Sequence, residues 1–281
     1  MSYDIYTGLL KTFPLPKEKR DVVMLSYDMA HPQFVELKAK YPIEAVAGGG
    51  DDFSKAINLL QWVSSNIYHR PNLPADIPHD ALHLLDYGLG KGADNGFYCV
   101  ALSKVLVECL LAIGIKARQV FIMPCSPYDY DNHVVAEAYV NGKWMMLCPT
   151  NNLYFKGEND ETLGILELRD YLADQKPVFV NSDAKYNDDV WTDDTTTERI
   201  EYFAKNLFYF QLAENNTFGA GRPSEACQIT LCPAGYDPKH VRVSNLEYNY
   251  KKWGPHPEAE KWLKLAKEEK YIFCCVEDFN V

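Results

Sequence analysis

Residues 95–118 read NGFYCVALSKVLVECLLAIGIKAR, and residues 133–150 read HVVAEAYVNGKWMMLCPT. In the first stretch Leu102, Val105, Leu106, Cys109, Leu110 and Ile113 recur at steps of three and four. That is the spacing of one apolar helix face, and Gly114 stands where a C-terminal cap is expected. In the second stretch Asn141-Gly142 separates two β-rich runs, the strongest short-range signal for a hairpin. A two-residue loop pairs positions whose numbers sum to 283, so Tyr139 faces Trp144, Glu137 faces Met146, Val135 faces Cys148 and His133 faces Thr150. Alternation then puts His133, Val135, Glu137 and Tyr139 on one face with Trp144, Met146 and Cys148, making Cys148 a diagonal neighbour of His133. Between the two stretches, RQVFIM reads as a further strand and PCSPYDYDN as a polar loop.

Two residues here have the chemistry of acyl transfer. Cys99 follows a turn rich in glycine (Gly90, Gly92, Gly96) and opens the long helix. Unpaired amides and a partial positive charge at a helix N-terminus favour a thiolate and could hold an oxyanion. By residue type alone a cysteine at this place is a small core hydrophobe. His133 begins a strand just after a loop, and a cysteine nucleophile needs such a neighbouring base.

Outward from this centre, residues 1–50 read as an irregular N-terminal arm with one short helix, interrupted by Pro14, Pro16, Pro32 and Pro42 and ending in Gly48-Gly49-Gly50. A core unit spans 51–155, entered by an amphipathic helix over 53–66 and a shorter one with Ala81, Leu82, Leu84 and Leu85. Residues 156–281 read as a C-terminal α+β extension: a helix near 164–174, an aromatic-rich helix near 198–213, strands CQITL and HVRV, a helix over 257–269 and a strand YIFCCV. No known motif of chemistry stands in this third part. Phe203, Phe208, Tyr209 and Phe210 read as packing, with a second use in selecting a bulky side chain if they line a cleft. His79 and His83 are four apart, but no third ligand accompanies them, so no metal or cofactor is expected.

With 28 basic against 39 acidic residues the net charge is −11, which repels phosphate backbones and anionic lipid; neither nucleic acid nor membrane is an expected partner. Eight cysteines invite a disulfide reading, yet no signal pattern precedes the chain and adjacent Cys274 and Cys275 would point to opposite faces of a strand. The expectation is a reduced, cytoplasmic protein.

The combination of the two quoted stretches resembles the transglutaminase-like superfamily, a papain-type cysteine hydrolase core. In that family a Cys opens a helix ending in Gly-Ile-x-Ala-Arg, and here Cys99 precedes Gly114 by 15 residues and Arg118 by 19. The family's His strand runs roughly H-V-x-x-E-x-Y-x-x-G-x-W, matched by His133, Glu137, Tyr139, Gly142 and Trp144. NIYHR and ALHLLDYGLG look like the segment before the family's Cys. The resemblance covers roughly 50–155 and implies an α+β fold with the Cys helix on an antiparallel sheet. It implies Cys99 as nucleophile and His133 as base in a protease or amidase acting through a thioester on peptide or protein amides. Hydrolysis is favoured over transamidation, since prokaryote-type family members of this size look like proteases or amidases; no calcium-site pattern typical of the regulated transglutaminases is visible.

One position departs from the family. The triad Asp is replaced by Cys148, and a thiol supports an imidazolium far less than a carboxylate does. Substitute orienters are Asn151, Asn152, Asp129 and Asp131, and oxyanion donors before the helix are Asn66, Tyr68 and His69. The alternative from a different class is a catalytically inactive module that binds peptide or glycopeptide in the cleft. A third is a redox or metal centre built on Cys99, His133 and Cys148.

Overall fold

The computed structural model describes residues 2–281 apart from 20, 22, 72, 75, 127, 128, 130, 221–227 and 255–256. Its centre is a six-stranded sheet. The strands are β1 (Ala117–Met123), β2 (His133–Val140), β3 (Lys143–Leu147), β4 (Tyr209–Ala213), β5 (Gln228–Leu231) and β6 (Tyr271–Phe273), in the order β6-β5-β4-β1-β2-β3. All neighbours are antiparallel except β5 and β6, which run parallel. The α+β class expected from the sequence is what the structure has.

The hairpin keeps the predicted register: Tyr139 pairs with Trp144 and Glu137 with Met146, around a turn with positive φ at Asn141 (52°) and Gly142 (81°). The ladder stops at Ala136 and Leu147, because Cys148 turns to bridge Leu153. Val135 and Cys148 therefore share a face without being paired in the ladder.

Helices cover the two faces of the sheet. On one lie α2 (Gln33–Lys40), α3 (Ile43–Ala47), α4 (Asp52–Asn66), α5 (Ala81–Gly88) and α6 (Cys99–Ala112), packed on Ala136, Ala138, Val140, Met145 and Leu147. On the other lie α1 (Ser2–Thr12), α7 (Ile165–Ala173) and α8 (Asp193–Asn206), packed on Val120, Ile122, Val135, Met146 and Cys148. The alternation along β2 divides the molecule into two cores, and α6 is buried along nearly its whole length.

The residues that the resemblance shares along the hairpin hold this sheet together. Arg118 Nε and Nη2 donate to Glu137 Oε2 at 3.0 and 2.7 Å, and Nη1 donates to Phe279 O at 2.6 Å. The guanidinium lies 3.9 Å from the centre of the Trp144 ring, and Glu137 Oε1 accepts from the Ile165 amide. Both members are fully enclosed, a geometry in which losing one partner strands a buried charge.

Four local expectations are corrected. The N-terminal arm holds three helices rather than one, because Pro32 and Pro42 stand at the N-caps of α2 and α3, where proline is compatible with a helix start. The aromatic helix ends at Asn206, and Tyr209–Ala213 is a strand: its backbone pairs with β1 at Phe121, Ile122 and Met123. HVRV belongs to the helix Pro238–Trp253, capped by Asp237, whose side chain accepts from His240 N. YIFCCV is strand only through Phe273, and Cys275 caps the short helix Val276–Phe279.

Candidate active site

Cys99 is at the first position of α6. Tyr98, its N-cap, gives no side-chain cap; its carbonyl takes the Ala101 and Leu102 amides at 3.0 and 3.1 Å, which leaves those of Cys99 and Val100 to face the sulfur. The backbone N–H groups of Val134, of Val100 and of Cys99 itself all act on the Cys99 sulfur and favour its thiolate. Burial outweighs them and pushes the thiol up, although Cys99 keeps some exposure. The lowering expected from the helix terminus is present, and the enclosing protein more than offsets it.

The loop before Cys99 is held close to the segment after α4. Phe97 N donates to Tyr68 O at 3.0 Å, and Arg70 N to Phe97 O at 3.1 Å. A side chain at Gly96 would meet Tyr68 O at 2.5 Å, so this approach requires glycine. His69 thereby bridges Phe97, two residues from Cys99. Its Nδ1 is 2.9 Å from Tyr186 Oη, and its backbone N–H donates to Asn187 Oδ1 at 2.7 Å.

His133 opens β2 on the face away from α6, adjacent to Val134, whose amide meets the Cys99 sulfur. Its Nε2 lies 3.1 Å from Cys148 Sγ, the diagonal contact that the hairpin register predicts. The ring meets Tyr202 and Phe203 of α8 edge-on, with centroids 5.9 and 6.0 Å away. Burial, followed by the nearby His69 and Arg199, pushes His133 down to about 3. Burial likewise pushes the Cys148 thiol up to about 12. The pair is neutral at ordinary pH.

Of the substitute orienters, Asn151 alone is at the pair. Its Nδ2 donates to Cys148 Sγ at 3.3 Å, and its buried Oδ1 has no hydrogen-bond partner among the described residues. Asn152 donates instead to Asp183 O and Oδ2. Asp129 and Asp131 both take Lys205 Nζ at 3.0 Å, and Asp131 also accepts from Tyr202 Oη at 3.1 Å. Asn66 is turned onto its own helix, donating to Trp62 O at 2.8 Å, and Tyr68 donates to Asp188. His79 Nε2 meets Tyr98 Oη at 2.8 Å and His83 Nδ1 meets Asp80, so the two histidines serve different partners. Cys227 of CQITL lies outside the described residues; Cys232 is a buried thiol.

Sequence reasoning passed over Tyr186, Arg199 and Tyr202, which complete the rim between His69 and His133. Arg199 lies 5.7 Å from the Tyr186 ring centre and 5.9 Å from that of Tyr202. The available signal was the i, i+3 pair Arg199 and Tyr202 on a helix start opened by Thr192, but nothing local ties that helix to His133.

Residues 39–149 match the family model of the Transglutaminase-like superfamily. The matched stretch, under half of the chain, contains both the Cys-helix and the His-hairpin motifs. No curated protein matches the chain. Among solved structures it is similar to a "putative cysteine protease" from Cytophaga hutchinsonii, with 17% identity, a TM-score of 0.34, and 57% of this chain and 55% of that one covered. A second is a "putative protease" from Parabacteroides distasonis, with 14% identity, a TM-score of 0.30 and coverage of 57% and 30%. The chain therefore spans about half of the first neighbour's length and under a third of the second's. Among the described residues no helix is long and apolar enough to cross a membrane.

Proposed function

We propose that the protein is a cysteine hydrolase of protease or amidase type, in which Cys99 attacks a peptide amide and His133 moves the proton. The observation that carries this reading is the His133 Nε2 to Cys148 Sγ contact at 3.1 Å, with Asn151 behind it. It supplies a ring orienter at the position where the superfamily's triad Asp would stand. In the tautomer that leaves Nδ1 free to take the Cys99 proton, Nε2–H donates to the Cys148 sulfur. The orienter is neutral, so the resting pair is thiol and imidazole, and the proton moves as the sulfur attacks the carbonyl. The sulfur–carbon bond forms, the amine leaves with the proton from His133, and water then cleaves the thioester. The Cys99 and Val100 amides, which face the sulfur in the resting protein, suit the oxyanion of that step.

The test is acylation. A peptide ester or a peptidyl chloromethyl ketone should label Cys99 of the native protein in a saturable way. Labelling should vanish in Cys99→Ala and fall about a hundredfold or more in His133→Ala, in line with loss of a general base. A rate no faster than that of the unfolded chain would sink the reading.

One observation favours a second reading, an inactive module that binds peptide in the same cleft. Among the described residues no carboxylate meets the buried His133, and the Cys99 thiol is pushed up rather than down. In that case peptides bind Cys99→Ala and wild type alike and no acyl-enzyme forms.

A further inference from the structure

A chain of contacts runs from the Cys99 sulfur to Arg199 and back to the Cys99 loop. From Val134, whose amide meets the sulfur, it passes to His133, to Tyr202, to Arg199, to Tyr186 and to His69, then returns through the Phe97 bridge to the Cys99 loop. Arg199 is the cation on this rim, partly exposed and flanked by two aromatic rings that hold its plane. Among the described residues no carboxylate pairs with it.

Three neighbouring carboxylates are already hydrogen-bonded elsewhere. Asp131 is taken by Lys205 and Tyr202, and Asp188 by the Tyr68 hydroxyl. Asp183 accepts from Asn152, Asn181 and Gln61. Arg70, the other guanidinium that acts on His69, donates through Nε to Ala93 O. A chain with net charge −11 thus leaves, among the described residues, a guanidinium with no carboxylate partner close enough to His133 and His69 to act on both. A planar donor fork held this way is matched by a carboxylate, which can take two N–H groups at once.

We propose that Arg199 is a specificity-determining residue that reads a carboxylate on the peptide bound at Cys99, so the preferred substrates are acidic peptides. The inference takes the Cys99 cleft as the peptide site, as the proposed function does. The carboxylate could belong to an Asp or Glu side chain beside the target amide or to the peptide's own C-terminus.

The experiment separates the two sources and does not depend on turnover. Two peptide pairs are bound to the Cys99→Ala protein, with calorimetry as the readout. One pair differs by Glu against Gln beside the target amide, the other by a C-terminal carboxylate against a carboxamide. In one pair the charged member should bind about tenfold or more tightly, a difference that shrinks at high salt. Arg199→Gln should abolish the preference, and Arg199→Lys should restore only part of it. Turnover by wild type should show the same preference in KM. Equal binding within both pairs, a preference that survives Arg199→Gln, or no binding of any peptide would overturn the inference. Preferential binding without turnover would instead reject the hydrolase reading and leave the role of Arg199 standing.

Discussion

At the scale of single residues, the proposed chemistry turns on Cys148. A carboxylate within about 4–6 Å raises a histidine by about 1–3 pH units, and a thiol supplies no such charge. Cys148→Asp should therefore raise His133 from its depressed value and make the Cys99–His133 ion pair accessible nearer neutral pH. The expected result is a faster alkylation of Cys99, by about tenfold or more below pH 7, with the acid limb of the rate profile moved accordingly. An unchanged profile in a folded Cys148→Asp protein would show that the ring is not oriented through this position. Cys148→Asn, which restores a neutral acceptor without a buried charge, serves if the carboxylate prevents folding. That Cys148 adjoins His133 was legible from the hairpin register alone. That Asn151 backs it was not, because its placement depends on the turn at 148–151, where Cys148 bridges Leu153 and Asn151 N returns to Cys148 O.

At the scale of elements, α6 does two tasks. Its N-terminus presents Cys99, the proposed nucleophile, while its middle carries Glu108, fully buried. Glu108 accepts from Ala81 N at 2.8 Å, at the start of α5, and from Gly219 N at 3.0 Å. Burial pushes its carboxyl up from 4.5 to about 7, against the pull of Lys104. Between those values the folded protein holds a proton that the unfolded chain has released. Glu108 thus favours the folded state fully below about pH 4.5, and that advantage is lost as pH rises through about 7. Its size is about 3 kcal/mol. His133 has the opposite sign, since its depressed value makes acidification unfavourable to the fold, so the measurement is a comparison with Glu108→Gln. In urea titrations from pH 4.5 to 7.5, the deficit of the variant relative to wild type should narrow by about that amount. A constant deficit across the range would contradict the raised carboxyl. The helix itself was plain from its apolar spacing. The tie from Glu108 to Gly219 was not, since it joins residues 111 positions apart.

At the scale of the whole molecule, the sheet does not stop where the family motifs stop. Strands β4, β5 and β6 all come from beyond residue 156, as do α7 and α8 over the face that holds His133 and Cys148. A fragment ending at residue 155 would leave Val120, Ile122, Val135, Met146 and Cys148 open to water. We expect it to lack a cooperative urea transition and to bind a hydrophobic dye; a sharp transition would show that 1–155 is self-sufficient. The centre of the fold was readable because helix period and hairpin turn act within about 20 residues of chain. The tail was misread at Tyr209–Ala213 and at HVRV, where long-range strand pairing and a capped, proline-started helix decided between two locally plausible states. The division into two cores has one more result. The helix that carries the thiol is held in one core by Leu102, Val105 and Leu106, and the imidazole meets Tyr202 and Phe203 on the side of the other. The sheet end between them works as a vernier: a small slip of either layer moves sulfur against ring by the whole slip. Conservative cavities far from the cleft, in either core, should therefore detune reactivity well before they unfold the protein.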